Sequence, residues 1–311
     1  MSVNQPPRQE MYYAEPIYRP PSEAYSLLIQ ASVGCSAAAA GRCYFCTSHV
    51  FDKTVPEKQF HIRPVDDVLE DIRIAQGQYG KTVEKIFLLD SNALIIKTPD
   101  LLRIVKACYS AFPNLKQVSC YACCGDILRK SDDELIQLQQ AGLTLVFLGL
   151  ESGDQQVLDL MNKGVAVADQ IEAVVKANRA GIRTSVTVIT GLGGRSLSRQ
   201  HAIATAQAVS AMNPTYLAAL TLMVVQGSPV ERMIRQGDFE PLSGIEDILR
   251  ELALMIEHID ATGPIVFRSN HASNYLPLKG TLPEDKPAML QLIQSALKDP
   301  HLMRPGHYRG L

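Results

Sequence analysis

The feature that most restricts the fold is an alternation of short apolar runs with amphipathic segments along most of the chain. This order is typical of βαβ units around a parallel sheet. The predicted strands are residues 25–32, 84–89, 117–122, 144–150, 184–190, 216–224 and, as a shorter seventh, 265–268. The predicted helices are residues 66–79, 99–112, 131–142, 168–180, 198–212, 244–260 and 286–297.

Six clear strands and a shorter seventh, each followed by a helix, favour a partial (β/α)6 TIM-like barrel of the α/β class, with a C-terminal extension. Right-handed crossovers place the C-terminal ends of the strands at one mouth, where such folds carry their chemistry. We therefore predict a flexible N-terminal lead-in over residues 1–17 and the barrel over residues 18–260. The C-terminal extension, residues 261–311, is predicted to close the substrate side.

Charge and cysteine content exclude several classes of protein. The 311 residues include 30 basic and 32 acidic side chains, and a net charge of −2 provides no overall field for nucleic acid or an anionic membrane. We find no apolar stretch that resembles a membrane span or a secretory signal. We therefore expect a cytoplasmic protein, in which clustered thiols serve metals or redox chemistry more often than disulfides.

Three of the seven cysteines follow the first predicted strand, as Cys35, Cys43 and Cys46 in the spacing C-x7-C-x2-C. Three thiolates can bind three irons of a [4Fe–4S] cluster and leave the fourth iron open to a ligand that is not protein. A structural zinc site normally has four protein ligands, and no obvious fourth accompanies these three, although His49 is close in sequence. The spacing therefore favours an iron–sulfur cluster over zinc or a group of buried thiols.

With these cysteines the chain resembles the radical SAM superfamily, in the branch similar to oxygen-independent coproporphyrinogen oxidases and methylthiotransferases. The superfamily usually spaces its cysteines C-x3-C-x2-C, so the first gap here is a departure. The resemblance implies a [4Fe–4S] cluster that reductively cleaves S-adenosylmethionine (SAM), with an electron from a flavodoxin- or ferredoxin-type donor. It implies a 5′-deoxyadenosyl radical that acts on a small-molecule substrate, and it places Phe45 beside the SAM adenine.

The same resemblance implies SAM contacts at later strand ends. Asp90 and Asn92 follow the second strand, where many members have a Gly-Gly-Glu-like turn that holds the SAM amino group; the glycines are missing here. Glu151 and Ser152 belong to a Gly-x-Glu-Ser-Gly segment that resembles one binding the SAM ribose or amine. The other implied contacts are a cation for the SAM carboxylate and a glycine turn against adenine, namely Lys163, Gly191 and Gly193.

A dense run of polar side chains occupies residues 267–275, beginning at the end of the last predicted strand. Within it, Arg268 can bind a carboxylate or phosphate, and His271 or Tyr275 can transfer a proton. We predict these three as catalytic residues that face the substrate. A hydrogen-bonded cap without chemistry is the alternative explanation of the same polar density.

The remaining cysteines allow two interpretations. Buried apolar packing is the usual role of a thiol that binds no metal. Strand alternation places Cys120 and Cys124 on one face and Cys123 on the other. Alternatively, Cys123 and Cys124 line the mouth and hold a thiophilic substrate.

Two further functions stay open beside hydrogen abstraction. The wide cysteine gap suggests non-standard SAM cleavage that transfers a 3-amino-3-carboxypropyl group to a soft acceptor. A non-catalytic iron–sulfur sensor needs only the cluster, whereas this chain has ligand-like groups at several strand ends. A zinc-dependent hydrolase fits less well, because His271 alone among seven histidines is well placed at a strand end.

Overall fold

The computed structural model describes residues 8–37, 43–46, 48 and 55–305. Its strands are β1 (Leu27–Gln30), β2 (Ser32–Val33), β3 (His61–Ile62), β4 (Lys85–Leu89), β5 (Gln117–Tyr121), β6 (Leu143–Glu151), β7 (Arg183–Thr190), β8 (Tyr216–Thr221), β9 (Ile265–Arg268) and β10 (Lys279–Leu282). Its α-helices are α1 (Val65–Tyr79), α2 (Thr98–Ala111), α3 (Cys124–Arg129), α4 (Asp132–Ala141), α5 (Gln155–Leu160), α6 (Val167–Arg179), α7 (Gly194–Met212), α8 (Pro229–Gln236), α9 (Ile245–His258) and α10 (Lys286–Lys298).

Eight of these strands form one mostly parallel sheet in the order β1-β4-β5-β6-β7-β8-β9-β10. The pairs β1·β4, β4·β5, β7·β8 and β8·β9 are parallel, and β10 returns antiparallel to β9. β2 and β3 form a separate two-stranded antiparallel ladder. The fold is therefore α/β, consistent with the predicted partial barrel, and the shorter seventh strand of the prediction is present as β9, parallel to β8.

All seven predicted strands are present, with ends that differ by a few residues. The clearest local signal is the start of α4, where the Ser131 hydroxyl accepts from the Glu134 amide at 3.1 Å and Glu134 accepts from the Ser131 amide at 2.8 Å. The sequence did not predict α3, α5 and α8. These helices have only six to eight residues, too few for an apolar period to be distinct.

The chain divides into two compact units. Unit 1 comprises Met1–Ser36, Asp52–Val146 and Ala180–Ile182; unit 2 comprises Ala37–Phe51, Phe147–Arg179 and Arg183–Leu311. Unit 1 carries β1 to β5 and α1 to α4, and unit 2 carries β7 to β10 and α5 to α10. β6 contributes residues to both. The predicted domain limits at residues 17 and 260 stay a prediction.

Unit 1 is built on the apolar strand β4, whose residues 86–89 are all buried. α1 packs against α2, and α2 against α4. The described part of the predicted lead-in is attached to this unit: Arg8 forms ion pairs with Glu70 and Asp71, and the Ala14 amide donates to Gln30 Oε1 at 2.7 Å. Residues 1–7 lie outside the described residues.

Unit 2 places amphipathic helices against its strands. α9 buries Ile248, Leu252 and Met255, and it packs on α7 and α10. The apolar positions recur at helical spacing, so one face of α9 lies against the core. In the described part of the chain, no helix has both the length and the apolar character needed to cross a membrane.

Candidate cofactor site

Cys35, Cys43 and Cys46 are half-buried, and none forms a disulfide. Cys35 follows β2 in unit 1, whereas Cys43 and Cys46 belong to unit 2 and are joined by a turn in which the Cys46 amide donates to the Cys43 carbonyl at 3.1 Å. Within the described residues, no three His, Cys, Asp or Glu side chains are grouped as a metal site. His49 lies outside those residues. The shared ligand role of the three cysteines therefore stays a prediction.

The donor chemistry nevertheless fits an iron–sulfur cluster. Ligand thiols must be deprotonated and reachable, and these three are partly exposed. Burial raises the pKa of Cys108 and of Cys120 to about 12, so those thiols stay protonated. Cys124 is also buried, but it begins α3 after β5 has ended at Tyr121, so the predicted strand alternation does not apply to it.

The chain enters Cys35 from a short antiparallel ladder in unit 1. β2 and β3 pair there, with Val33 opposite His61. Gly34 follows with a φ of +66°, and a Cβ at this position would lie 2.4 Å from the Lys58 carbonyl oxygen. Only glycine combines this backbone conformation with so close an approach. The residue before Cys35 therefore packs closely against the backbone of Lys58.

Asp90, a predicted SAM contact, lies next to this ladder, and its amide donates to Ser32 Oγ at 3.2 Å. Its buried carboxylate forms an ion pair with the buried Lys58 ammonium and accepts from the Gly34 amide at 3.2 Å. Lys58 also donates to the Ala14 carbonyl at 3.3 Å and lies 5.5 Å from the centre of the Tyr18 ring. Asp90 thus connects Lys58 with the cysteine loop.

Asn92, the second predicted contact on this loop, is also buried in a polar network. Its Oδ1 accepts from the Ser36 amide at 3.3 Å, and its Nδ2 donates to Ser36 Oγ at 2.7 Å and to Asp126 Oδ2 at 3.0 Å. Asp126 accepts in turn from the Cys123 amide at 3.1 Å. Both amide hydrogens of Asn92 are used, so this side chain links the residue after Cys35 to the start of α3.

In unit 2, Glu151 ends β6 in a left-handed backbone conformation. Its φ is +64°, and the Ser152 amide donates to the Leu150 carbonyl at 2.8 Å, which makes Glu151 the centre of a γ-turn. The Glu151 carboxylate pairs with Lys163 Nζ at 3.0 Å, with 12% and 15% of the two side chains exposed. Lys163 also donates to the Gly149 carbonyl at 2.9 Å. Such strained turns persist where the surroundings hold them, often at ligand sites.

Gly149 makes room for this ion pair. A Cβ there would lie 1.8 Å from Glu151 Oε1 and 3.2 Å from Lys163 Nζ. The carboxylate therefore folds back over the backbone of residue 149, a position that any larger side chain would occupy.

Phe45 lies beside the same ion pair. Lys163 Nζ is 5.9 Å from the centre of the Phe45 ring, and the Tyr44 amide donates to the Met161 carbonyl at 2.9 Å. The ring packs against a buried apolar cluster that includes Met161 and Leu192. Three predicted SAM contacts, Phe45, Glu151 and Lys163, thus come together in unit 2.

The glycine turn after β7 is held by a residue that sequence reasoning missed. The Gly191 amide donates to Glu251 Oε1 at 2.5 Å, and Ser198 donates to the other carboxylate oxygen. Glu251 lies buried on α9, and this burial raises its pKa to about 7. Gly193 forms the N-terminal boundary of α7. The one sequence signal for Glu251 was an acidic residue at an apolar position of an amphipathic helix.

A second missed residue is His201, which is buried on α7. Its Nδ1 is 2.8 Å from Ser152 Oγ, and its Nε2 is 3.0 Å from the Ile189 carbonyl. Burial lowers the pKa of His201 to about 4, so the ring is neutral near pH 7. The 3.7 Å approach of its Nε2 to Glu251 is therefore not an ion pair at that pH. Ser152, the remaining predicted contact, points to this histidine.

The polar C-terminal segment attaches to the end of β8. Asn274 donates to the Ala219 carbonyl at 2.7 Å and accepts from the Thr221 hydroxyl at 2.8 Å, and the Thr221 amide donates to Ser273 Oγ at 3.2 Å. Asn274 and Ser273 are buried. These contacts fit the hydrogen-bonded cap that the sequence left as an alternative.

The three residues predicted to be catalytic occupy different environments around this cap. Arg268 is exposed at the end of β9, and Tyr275 is half-buried. The His271 Nδ1 accepts from the Ser273 amide at 3.1 Å, and burial, with the nearby Arg304 cation, lowers the pKa of His271. At neutral pH His271 is thus an uncharged ring with its hydrogen on Nε2.

Comparison with known proteins relates the chain to one superfamily. The model of the radical SAM superfamily matches residues 30–206, more than half of the chain. An uncharacterized protein of Methanocaldococcus jannaschii is 27% identical over 130 residues, which cover 42% of this chain and 38% of that protein. The match thus spans well under half of the archaeal relative.

Solved structures show the same fold at low identity. Coproporphyrinogen III oxidase from Escherichia coli, a radical SAM enzyme, has a TM-score of 0.55 at 17% identity, over 75% of this chain and 52% of that chain. A radical SAM methyltransferase from Kitasatospora setae, solved with cobalamin and a [4Fe–4S] cluster, has a TM-score of 0.52 at 19% identity, over 73% and 44%. Methylornithine synthase has a TM-score of 0.50 at 16% identity, over 76% and 66%.

Proposed function

The chain belongs to the radical SAM superfamily, and we propose on this premise that it is an enzyme that cleaves SAM reductively to transform a small-molecule substrate. We propose Cys35, Cys43 and Cys46 as ligands of the [4Fe–4S] cluster. The observation that carries the proposal is the group formed by Phe45, Glu151 and Lys163 in unit 2, since SAM presents matching charges and an aromatic base.

When bound, the cluster supplies one electron, received from a flavodoxin- or ferredoxin-type donor, that breaks a carbon–sulfur bond of the SAM sulfonium. The protein holds SAM and its substrate together and excludes water from them. Whether the enzyme acts as an oxidoreductase or as a transferase then depends on the substrate and on the bond that breaks.

Glu151 and Lys163 suit the polar end of SAM. The amino-acid part of SAM carries an ammonium and a carboxylate, and the ion pair offers one charge of each sign at 3.0 Å. Lys163 is proposed to bind the SAM carboxylate, and Glu151 the amine or a ribose hydroxyl. Charge-assisted hydrogen bonds in so enclosed a position are stronger than on an open surface. Phe45 offers its ring face to adenine, next to the glycine turn of residues 191–194.

Asp90 and Asn92 are better suited to support the cysteine loop than to touch SAM. Asp90 pairs with Lys58 and binds the Gly34 amide, and Asn92 gives both amide hydrogens to other side chains. On the substrate side, the exposed Arg268 guanidinium is proposed to bind an anionic group. His271 is proposed to move a proton through Nε2, with Tyr275 beside it in sequence.

The test is anaerobic reconstitution with iron and sulfide, followed by reduction in the presence of SAM. We expect about four irons per chain, and 5′-deoxyadenosine with methionine as the products. C35A, C43A and C46A are each expected to lose the cluster. C108A removes a buried thiol from α2 and is expected to keep it.

Two outcomes would contradict this proposal. Bound zinc without labile iron would indicate a zinc site, and a cluster that neither binds nor cleaves SAM would indicate a sensor. Formation of 5′-methylthioadenosine would keep reductive SAM cleavage but assign transfer of a 3-amino-3-carboxypropyl group in place of hydrogen abstraction.

A further inference from the structure

Two turns that carry proposed SAM contacts are joined by buried side chains of two helices. The first turn contains Glu151 and Ser152 after β6, and the second begins at Gly191 after β7. His201 on α7 contacts Ser152, and Glu251 on α9 binds Gly191. All these residues belong to unit 2.

The hydrogen bonds of His201 have a defined direction. The Ile189 carbonyl can only accept, so His201 Nε2 carries the hydrogen and donates at 3.0 Å. In the neutral ring, Nδ1 must then accept, and the Ser152 hydroxyl donates to it at 2.8 Å. Ser152 Oγ accepts in turn from the Asp154 amide at 3.0 Å. His201 therefore links the end of β7 to the residue that follows Glu151.

Glu251 completes the connection. Its two carboxyl oxygens accept from the Gly191 amide and from the Ser198 hydroxyl, and its Oε1 is 3.7 Å from His201 Nε2. An acidic residue in this position is expensive to bury, which its raised pKa reflects. A leucine would fit the apolar face of α9 without that penalty. The position therefore favours a specific hydrogen-bonding role over packing.

We propose that Glu251 and His201 are positioning residues that hold the Glu151–Ser152 turn and the Gly191 turn in the arrangement that binds SAM. The inference rests on the proposed function, because SAM is the ligand. A left-handed Glu151 and a glycine-rich turn both have other accessible conformations, and a ligand that must order them binds more weakly. The two buried side chains supply that order before SAM arrives.

The experiment compares E251M, E251Q and a control on the same helix, E246M, in the reconstituted holoprotein. Glu246 is 62% exposed and pairs with Arg250, so E246M removes a carboxylate from α9 without touching either turn. Gln at position 251 keeps an acceptor for Gly191 and an amide for Ser198, whereas Met keeps neither. The measurements are SAM affinity by titration and amide hydrogen exchange of residues 189–194 without SAM.

We expect E251M to weaken SAM binding about tenfold, equivalent to about 1.4 kcal/mol, and to speed exchange in residues 189–194 while iron content stays unchanged. E251Q is expected to bind SAM within about threefold of the affinity of the natural chain, a difference of under about 1 kcal/mol. E246M is expected to bind SAM as tightly as the natural chain. Faster exchange with unchanged SAM affinity would overturn the proposal, as would unchanged exchange in E251M.

Two further arms keep the test decisive. If E251M exchanges globally and so has unfolded, H201F takes its place: its ring has no nitrogen, so it neither donates to the Ile189 carbonyl nor accepts from the Ser152 hydroxyl, and we expect weaker SAM binding with the cluster intact. Unchanged affinity in H201F would contradict the proposal. If the natural holoprotein binds no SAM, the proposed function fails, and the exchange data alone report whether Glu251 orders the Gly191 turn.

Discussion

At the scale of single residues, the strained Glu151 shows how backbone and side chain act together. Its φ of +64° turns the carboxylate back over Gly149 toward Lys163. A non-glycine residue costs about 1–3 kcal/mol in such a conformation and needs support from its surroundings. That support comes from the Lys163 ion pair and from the His201 contact to Ser152.

The variant G149A tests the ion pair. The new methyl group would meet the movable end of Glu151 rather than backbone, so we expect the protein to fold with a displaced carboxylate. SAM affinity should fall about tenfold, as measured by titration of the holoprotein. The control G77A lies on α1 with no atom within 4 Å of the added Cβ. It should leave SAM affinity unchanged and raise stability by up to about 1 kcal/mol; equal affinities for both variants would exclude the assigned role of Glu151.

A second residue-scale prediction concerns the pH dependence of stability. Burial raises the pKa of Glu251 to about 7. The contribution of Glu251 to the free energy of unfolding is therefore complete below about pH 4.5 and is lost as pH rises through 7. Burial lowers the pKa of His201 to about 4, although the hydrogen bond to Ile189 and the Asp154 carboxylate oppose the shift. The contribution of His201 to the free energy of unfolding is therefore complete above about pH 6.5 and is lost as pH falls through 4. In the natural chain, Glu251 and His201 change the free energy of unfolding with pH in opposite directions. The two effects largely cancel between about pH 4.5 and 6.5.

E251Q removes only the Glu251 slope. We therefore expect its free energy of unfolding, relative to the natural chain, to rise with pH between about 4.5 and 6.5, by roughly 1 kcal/mol per pH unit. Urea unfolding of both proteins at several pH values measures the difference. Parallel pH profiles would show that Glu251 has an ordinary pKa in the folded chain.

At the scale of elements, the short ladder of β2 and β3 closes the base of the segment that carries the cysteines. Neither strand has more than two residues, so neither is stable through its own ladder. The buried pair of Lys58 and Asp90 adds the missing attachment through the Gly34 amide. The sequence indicated an acceptor at Asp90 but not its partner, which is 32 residues away along the chain.

We predict that K58M destabilises the protein by about 3–5 kcal/mol, because it leaves the Asp90 carboxylate buried without its counter-ion. The double variant K58M/D90N removes that charge and should recover part of the loss. Denaturant unfolding measures both, and iron content after reconstitution shows whether the Cys35 loop still assembles a cluster. The exposed pair Lys116–Glu84 provides the control, and K116M should change stability by less than about 1 kcal/mol.

At the scale of the whole molecule, we expect the cluster to stabilise the fold, and SAM to stabilise it further once the cluster is bound. A ligand that binds only the folded state adds about 2.7 kcal/mol at a concentration of 100 times its Kd. We expect SAM to raise the Tm of the holoprotein, and to have little effect on C43A, in which a proposed cluster ligand is missing. Anaerobic thermal unfolding with and without SAM makes the comparison; an equal shift in both proteins would show that SAM binds independently of the cluster.

Much of the architecture could be predicted from the sequence because apolar period and capping are local properties. The strand and helix order of the sheet follows from them, including the capping box of α4 and the seven sequential strands. Phe45, Glu151 and Lys163 were predicted from the resemblance to the radical SAM superfamily rather than from local period, and the three side chains meet in unit 2. The short helices and the strands β3 and β10 were missed, because brief segments have too few residues to establish a period.

The tertiary structure alone decided which residues far apart along the chain are hydrogen-bond partners. Gly191 and Glu251 are 60 residues apart, Ser152 and His201 are 49 apart, and Asn274 meets Ala219 across 55. Periodicity describes which face of an element is buried, but a buried polar group must find its hydrogen-bond partner in whatever element packs against it. For that reason the sequence by itself determined the order of the elements and the chemical types of the candidate ligands, whereas packing decided that Asp90 and Asn92 are held in buried polar contacts and that Glu251 and His201 hold the turns.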